Sequence, residues 1–199
     1  MGEQNSGFEI LLVTKEIEGR IEGKSYRKNP HVTLDDLRYI KTRYVDFEGK
    51  EHQGELLVHK EIAEDILEIF EELFKRKYPI GNMRLVDDYG ADDLASMADN
   101  NCSAFNYRCI AGTNKLSNHS FGKAIDINPR INPYVVSEEN ITPENGIIYA
   151  NRNIDSCTGG EKKWMIQKGD AIYQLFLSHG FTWGGEWKHA KDYQHFEKI

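Results

Sequence analysis

The chain has 199 residues, a formal net charge of -7, 39% hydrophobic residues and 29% charged residues. That length suits one ordinary domain with a substantial core, and no apolar run approaches the roughly 20 residues of a membrane span. The acidic balance argues against nucleic acid as the main partner, because phosphate binding needs a basic surface. A polyanionic wall polymer stays open, since a local cleft can differ from the whole.

Residues 1–30 are polar apart from Ile10-Leu-Leu-Val13. They read as a loosely attached arm with one strand, and residues 31–199 as the domain. Met1-Gly-Glu-Gln-Asn-Ser-Gly7 has no basic segment followed by an apolar one, so it does not read as a signal peptide and suggests a trimmed precursor. Gly2 with Ser6 formally matches a myristoylation pattern, a match short enough to arise by chance. Leu37 to Phe47 is rich in β-branched and aromatic residues and ends at Glu48-Gly-Lys-Glu51, which predicts a strand and a turn. Gly54 to His59 reads as the partner strand.

The clearest helix is Lys60 to Lys77. Ile62, Ile66, Ile69, Phe70, Leu73 and Phe74 recur at three- and four-residue spacing, acidic residues fill the other face, and Pro79 stops it. Met83 to Asp87 is expected as a strand, Asp92 to Ala98 as a short helix and Ser103 to Ile110 as another strand. Residues 130–163 look irregular, and so long a segment is often a binding loop. A second helix is expected at Lys168 to His179 with Gly180 past its end, then a last strand at Tyr193 to Glu197. Cys102, Cys109 and Cys157 form no Cys-x-x-Cys and read as free thiols.

Chemistry concentrates in two stretches. Leu116-Ser-Asn-His-Ser-Phe-Gly-Lys-Ala-Ile-Asp-Ile-Asn-Pro129 holds His119 and Asp126, and Trp183 to Glu197 holds His195. Two imidazoles and one carboxylate make the ligand count of a catalytic zinc site, three protein groups with a position left open. Asp126 lies in an apolar run, where a carboxylate is costly unless paired or bound to metal. Spacing alone leaves two readings open: a metal site, or a structural hydrogen-bonded Asp126 with unrelated histidines. His31, His52 and His59 have no ligand-like surroundings, His179 sits at a helix end, and His189 looks solvated. Trp183, Trp187 and Phe196 read as core. Strand periodicity puts Glu197 on the face of His195. Asp192 can reach a ligand site only if the chain turns between Lys191 and Tyr193.

The pattern Ser117-x-His119-x-x-Gly122-x-Ala124-x-Asp126 with Asp192-x-x-His195 resembles the zinc peptidases of bacterial cell-wall peptides. That group holds D-alanyl-D-alanine carboxypeptidases of the vancomycin-resistance type and L-alanyl-D-glutamate endolysins, in a superfamily with lysostaphin-type endopeptidases and the hedgehog signalling domain. Phe105-Asn-Tyr-Arg108, Asn132-Pro-Tyr134, Trp183-Gly-Gly and His195-Phe-Glu197 extend the resemblance over roughly residues 54–197.

The resemblance implies a single α+β domain whose central antiparallel sheet carries the zinc site, flanked by helices. It implies that His119, Asp126 and His195 bind Zn2+ and that Asp192 is the catalytic carboxylate. Arg108 would stabilise the substrate carbonyl, and Ser117 and Tyr134 would touch substrate. Glu186 stands where related sequences often carry Asp, so it competes with Asp192 as base. The function implied is cleavage of peptidoglycan stem peptides outside the cytoplasm by a monomer. The competing function is a zinc-containing binding module without turnover; Asp192 and Arg108 together favour the enzyme. Which bond is cut stays open.

Overall fold

A computed structural model describes residues 7–199, so the Gly2 and Ser6 pattern lies outside the described residues. In chain order the regular elements are β1 (Glu9–Leu12), α1 (Lys15–Ile21), β2 (Leu37–Val45), β3 (Glu51–His59), α2 (Ala63–Lys75), β4 (Asn82–Met83), α3 (Asp93–Ala98) and β5 (Asn101–Cys102). They continue with β6 (Ala124–Asp126), β7 (Tyr134–Ser137), β8 (Asn140–Thr142), α4 (Ala171–Ser178), β9 (Thr182–Trp183), β10 (Lys191–Asp192) and β11 (His195–Glu197). The protein is α+β. Instead of one central sheet, the strands form three antiparallel three-stranded sheets, ordered β1-β2-β3, β10-β7-β8 and β6-β11-β9, and one parallel pair, β4-β5.

Alternation along β2 and β3 explains why both faces of the first sheet are covered. Ile40, Tyr44, Leu56 and Val58 face α2, where Ile66, Ile69, Phe70 and Leu73 complete the main core. Leu37, Tyr39 and Leu57 face the other way, against Ile17 and Ile21 of α1 and Phe105. Residues 9–26 are therefore no loose arm. β1 pairs with β2 from Glu9 to Leu12, and Ile17 and Ile21 are buried. The apolar side chains at three- and four-residue spacing in α1 are few, which hid the helix in the sequence.

The main helix starts three residues later and ends two residues earlier than its periodicity suggested. Its end comes before Pro79 because Lys77 turns to φ 53 and the Tyr78 N–H donates back to the Leu73 carbonyl. The expected strand at 83–87 stops after Met83, because Asp87 accepts hydrogen bonds from the Ser25 N–H (3.0 Å) and hydroxyl (2.8 Å) within a 3-10 turn. Residues 103–110 form no regular strand either. Successive amides go to different partners: Phe105 to the Leu57 carbonyl, Asn106 to His119 and Tyr107 to Ser25.

The 130–163 segment holds the β7–β8 hairpin and 3-10 turns as well as loop. Arg152 ties it down. Its guanidinium donates to the carbonyls of Ile131 (2.8 Å) and Ile166 (2.8 Å) and to Asn132 Oδ1 (2.9 Å), and lies 4.4 Å from the Tyr193 ring centroid. α4, capped by Asp170 through the Tyr173 N–H, packs Phe176 flat on Phe196 with ring centroids 4.0 Å apart. Phe196 is fully buried, and burying such a ring contributes roughly 1.5–3 kcal/mol. That contact turns the opposite face of β11, with His195 and Glu197, away from α4. Among the described residues no helix is long and apolar enough to cross a membrane.

Candidate active site

His119 stands on a 3-10 turn, Asn118–Phe121, opened by the Ser117 hydroxyl, which accepts from the His119 N–H at 3.3 Å. Gly122 closes the turn at φ 65 and donates its N–H to the His119 carbonyl. A Cβ at Gly122 would lie 2.7 Å from the backbone nitrogen of His59, whose N–H donates to the Gly122 carbonyl. Only glycine supplies both this left-handed φ and this close approach. The turn is thus pressed onto the end of β3.

Asp126 ends β6, and His195 of β11 is its direct cross-strand partner. The three side chains converge. His119 Nε2 is 3.2 Å from His195 Nδ1 and 3.2 Å from Asp126 Oδ2, and His195 Nδ1 is 3.1 Å from Asp126 Oδ1. All three residues are at most 5% exposed. Among the described residues they are the one group of histidine, cysteine or carboxylate ligands close enough to hold a metal, with ligand atoms within 4.8 Å of one another. Donors bound at about 2.0–2.2 Å around a tetrahedral ion stand about 3.3–3.6 Å apart, so the observed 3.1–3.2 Å needs an outward shift of only a few tenths of an ångström to hold a metal.

Hydrogen bonds decide which ring nitrogen faces the centre. The Ala104 carbonyl, 2.5 Å from His119 Nδ1, can only accept, so Nδ1 carries the proton and Nε2 presents its lone pair. On His195 the outer nitrogen, Nε2, donates to Glu197 Oε2 at 3.0 Å. Burial opposes a charged His195, but Asp126 and Glu197 outweigh it and hold the imidazolium up to about 10 without metal. Burial likewise opposes the Asp126 carboxylate, yet His119 and His195 keep its pKa well below the usual carboxylate range. Neither ligand-bearing strand carries a compensating Lys or Arg.

The turn expected between Lys191 and Tyr193 lies one step later: Lys191–Asp192 is a regular strand and the chain bends at Tyr193 and Gln194. β10 pairs with β7, setting Asp192 opposite Tyr134, whereas β11 pairs with β6. The expected strand at 193–197 is therefore broken at Tyr193 and Gln194, where the chain changes sheets. Gly184 packs between the two residues: a Cβ there would lie 2.9 Å from Asp192 Cβ and 3.2 Å from His195 Cβ. Asp192 Oδ1 is buried and has no hydrogen-bond partner. Burial pushes this carboxyl up to about 7, with the charge of His195 opposing and that of Asp126 adding.

The other sequence candidates sit as follows. Glu186 is more than a third exposed and bonds elsewhere, to Lys168 Nζ (2.6 Å) and the Tyr173 hydroxyl (3.2 Å). The backbone of Arg108 is bound to the ligand turn: its N–H donates to Ser120 Oγ at 2.9 Å, and its carbonyl accepts from the Ser117 N–H at 3.1 Å. Its guanidinium pairs with Asp93 at the start of α3, while its buried Nε has no partner. Trp187 departs from its expected place in the core. It is 37% exposed, with its ring centroid 5.3 Å from that of His195. Cys102, Cys109 and Cys157 are free.

Sequence reasoning missed Ala104, Asp93 and Asn118. The Ala104 carbonyl has no sequence signature. Asp93 was visible only as an acidic first-turn residue of a helix. Asn118 Nδ2 donates to Glu197 Oε2, and its place beside His119 was the available signal.

Residues 111–198 match the family described as D-alanyl-D-alanine carboxypeptidase. Inside the family segment lie His119, Asp126, Asp192 and His195; Arg108 falls just before it, so the match is narrower than the 54–197 the motifs suggested. The chain is also similar to the peptidoglycan L-alanyl-D-glutamate endopeptidase CwlK of Bacillus subtilis (strain 168), with 29% identity over 83 residues. That similarity covers 42% of this chain and 40% of the Bacillus protein. No solved structure matches the chain.

Proposed function

We infer that this protein is a zinc-dependent bacterial peptidase that cuts peptidoglycan stem peptides on the outer side of the cytoplasmic membrane. The observation that carries the reading is the buried convergence of His119, Asp126 and His195, near Asp192, whose Oδ1 is buried without a hydrogen-bond partner. The family match supports the substrate class. Two imidazoles and a carboxylate suit zinc, which in catalytic sites takes three protein ligands and keeps a position open. Bound by these three residues, zinc supplies Lewis acidity toward a water and a peptide carbonyl.

The chain's own groups do the rest. Asp192 takes the proton of the attacking water and returns it to the leaving amine. A carboxyl held near 7 by burial suits a group that must accept and then donate near neutral pH. Arg108 supports the charge that develops on the carbonyl oxygen, for which its guanidinium must turn from Asp93 toward the substrate. Ser117 and Tyr134 are the substrate contacts, Tyr134 standing opposite Asp192 in the β10–β7 pairing. Glu186 is the alternative base, and its two other partners weigh against it. Asp192 and Arg108 together favour the enzyme over a binding module, which would need neither.

The test is mass spectrometry of purified muropeptides incubated with the zinc-loaded protein. A stem peptide shortened or split at a bond flanked by a D-residue supports the reading. Efficient cleavage of all-L peptides with muropeptides untouched would overturn it.

A further inference from the structure

We propose that Glu197, held in place by Asn118, is a positioning residue that orients His195 and sets how tightly the centre holds its metal. The proposal rests on the reading of His119, Asp126 and His195 as metal ligands. Three observations support it.

The first is geometric. His195 and Glu197 are two apart on β11 and share a face. Glu197 Oε2 accepts from His195 Nε2 at 3.0 Å, which leaves Nδ1 as the nitrogen turned to Asp126 and His119. The second is connectivity. The same Oε2 accepts from Asn118 Nδ2, and Asn118 directly precedes His119 on the 3-10 turn. One carboxylate oxygen thus joins the two ligand-bearing segments across 79 positions of sequence.

The third is charge. The nearby lysines are engaged elsewhere, Lys198 with Asp65 at 2.7 Å and Lys123 with Glu61 at 2.6 Å. The ion pair of Glu197 among the described residues is with His195. Its negative charge therefore acts on the imidazole and is not shared with a lysine or arginine. His119, by contrast, is oriented by a neutral carbonyl. A carboxylate on the outer nitrogen makes an imidazole the more basic ligand and fixes its ring plane.

The experiment titrates metal-free wild type, Glu197→Gln, Asn118→Ala and His195→Ala with zinc against a chromophoric chelator. Cobalt(II) spectra report ligand geometry, and thermal midpoints of the metal-free proteins report the fold. Losing such an outer partner typically costs about 10- to 100-fold in metal affinity. Glu197→Gln should show a loss of that size with a near wild-type midpoint, and Asn118→Ala a smaller loss with an altered cobalt spectrum. Wild-type affinity in folded Glu197→Gln overturns the proposal. If Glu197→Gln does not fold, Asn118→Ala decides, and wild-type affinity and spectrum there overturn it. Full zinc affinity in His195→Ala would sink the ligand assignment and the proposal with it. Weaker zinc binding by Glu197→Gln, alongside a wild type that leaves muropeptides intact, would uphold the proposal while ending the wall-peptide reading.

Discussion

His195 and Asp126 stand directly opposite each other in the antiparallel pairing of β11 with β6, with Nδ1 of His195 3.1 Å from Oδ1 of Asp126. Two of the three candidate ligands are thus set by a strand ladder and backed by the buried Phe196. His119 alone depends on a turn. That asymmetry shapes the expected behaviour of variants.

Removing His119 should leave the fold and abolish stoichiometric zinc. Two donors remain in His119→Ala, below the three that a catalytic zinc site uses. Metal analysis after dialysis against a zinc buffer checks this, and a full equivalent of zinc in the variant would disprove the ligand set.

Gly122→Ala should destabilise the protein and weaken metal binding together. The residue sits at φ 65, and a Cβ would press on the His59 backbone at 2.7 Å. A non-glycine residue held in so sparse a conformation costs roughly 1–3 kcal/mol, before any clash. Urea denaturation of the metal-free variant measures the loss, and an unchanged midpoint would show that the turn adapts freely.

Arg108→Ala should keep its zinc and lose turnover. Removal of one preorganised donor to a developing oxyanion typically costs about 100- to 1000-fold in rate. Steady-state cleavage of muropeptide at matched zinc content is the measurement. An unchanged rate would reduce Arg108 to the ion-pair partner of Asp93.

Asp192→Asn should bind zinc and substrate yet lose most turnover, because an amide cannot take the proton of water. Glu186→Gln, whose parent carboxylate is engaged with Lys168 and Tyr173, should retain most activity. Single-turnover rates of the two variants decide between them. A dead Glu186→Gln beside an active Asp192→Asn would make Glu186 the base.

The same Asp192→Asn change should stabilise the metal-free fold at alkaline pH. A folded-state value of about 7 for Asp192 lies above the roughly 3.9 of a free aspartate. Across that window the folded state holds the extra proton, so stability falls as pH rises and the loss is complete above about 7. The thermal midpoint of Asp192→Asn should therefore exceed wild type at pH 8, with the gain fading toward pH 4. An equal gain at both would assign the effect to packing.

Much of the fold was legible one element at a time. The apolar spacing of Ile66, Ile69, Phe70 and Leu73 determined α2, because side-chain direction follows the local backbone period, and the β-branched and aromatic residues of Leu37–Val45 before a Gly-containing turn determined β2. Elements without such a period were misjudged. The 103–110 stretch has strand composition but hands its amides to several separate segments, and no local pattern records a distant partner.

The candidate site divides along the same line. Residue types and spacing left His119, Asp126 and His195 open between a metal site and unrelated groups, and it was the family resemblance that nominated them as ligands with Asp192 as the carboxylate. Which carboxylate stands there depended on the change of sheet at Tyr193 and Gln194, and on Lys168 and Tyr173 drawing Glu186 aside. The Ala104 carbonyl on His119, the Asp93 pair of Arg108 and the Asn118–Glu197 link arise only when distant segments meet. Sequence determines what each residue can donate or accept and how its neighbours alternate. Tertiary structure decides which donor meets which acceptor, because strand register and buried packing place groups tens of residues apart within hydrogen-bonding distance.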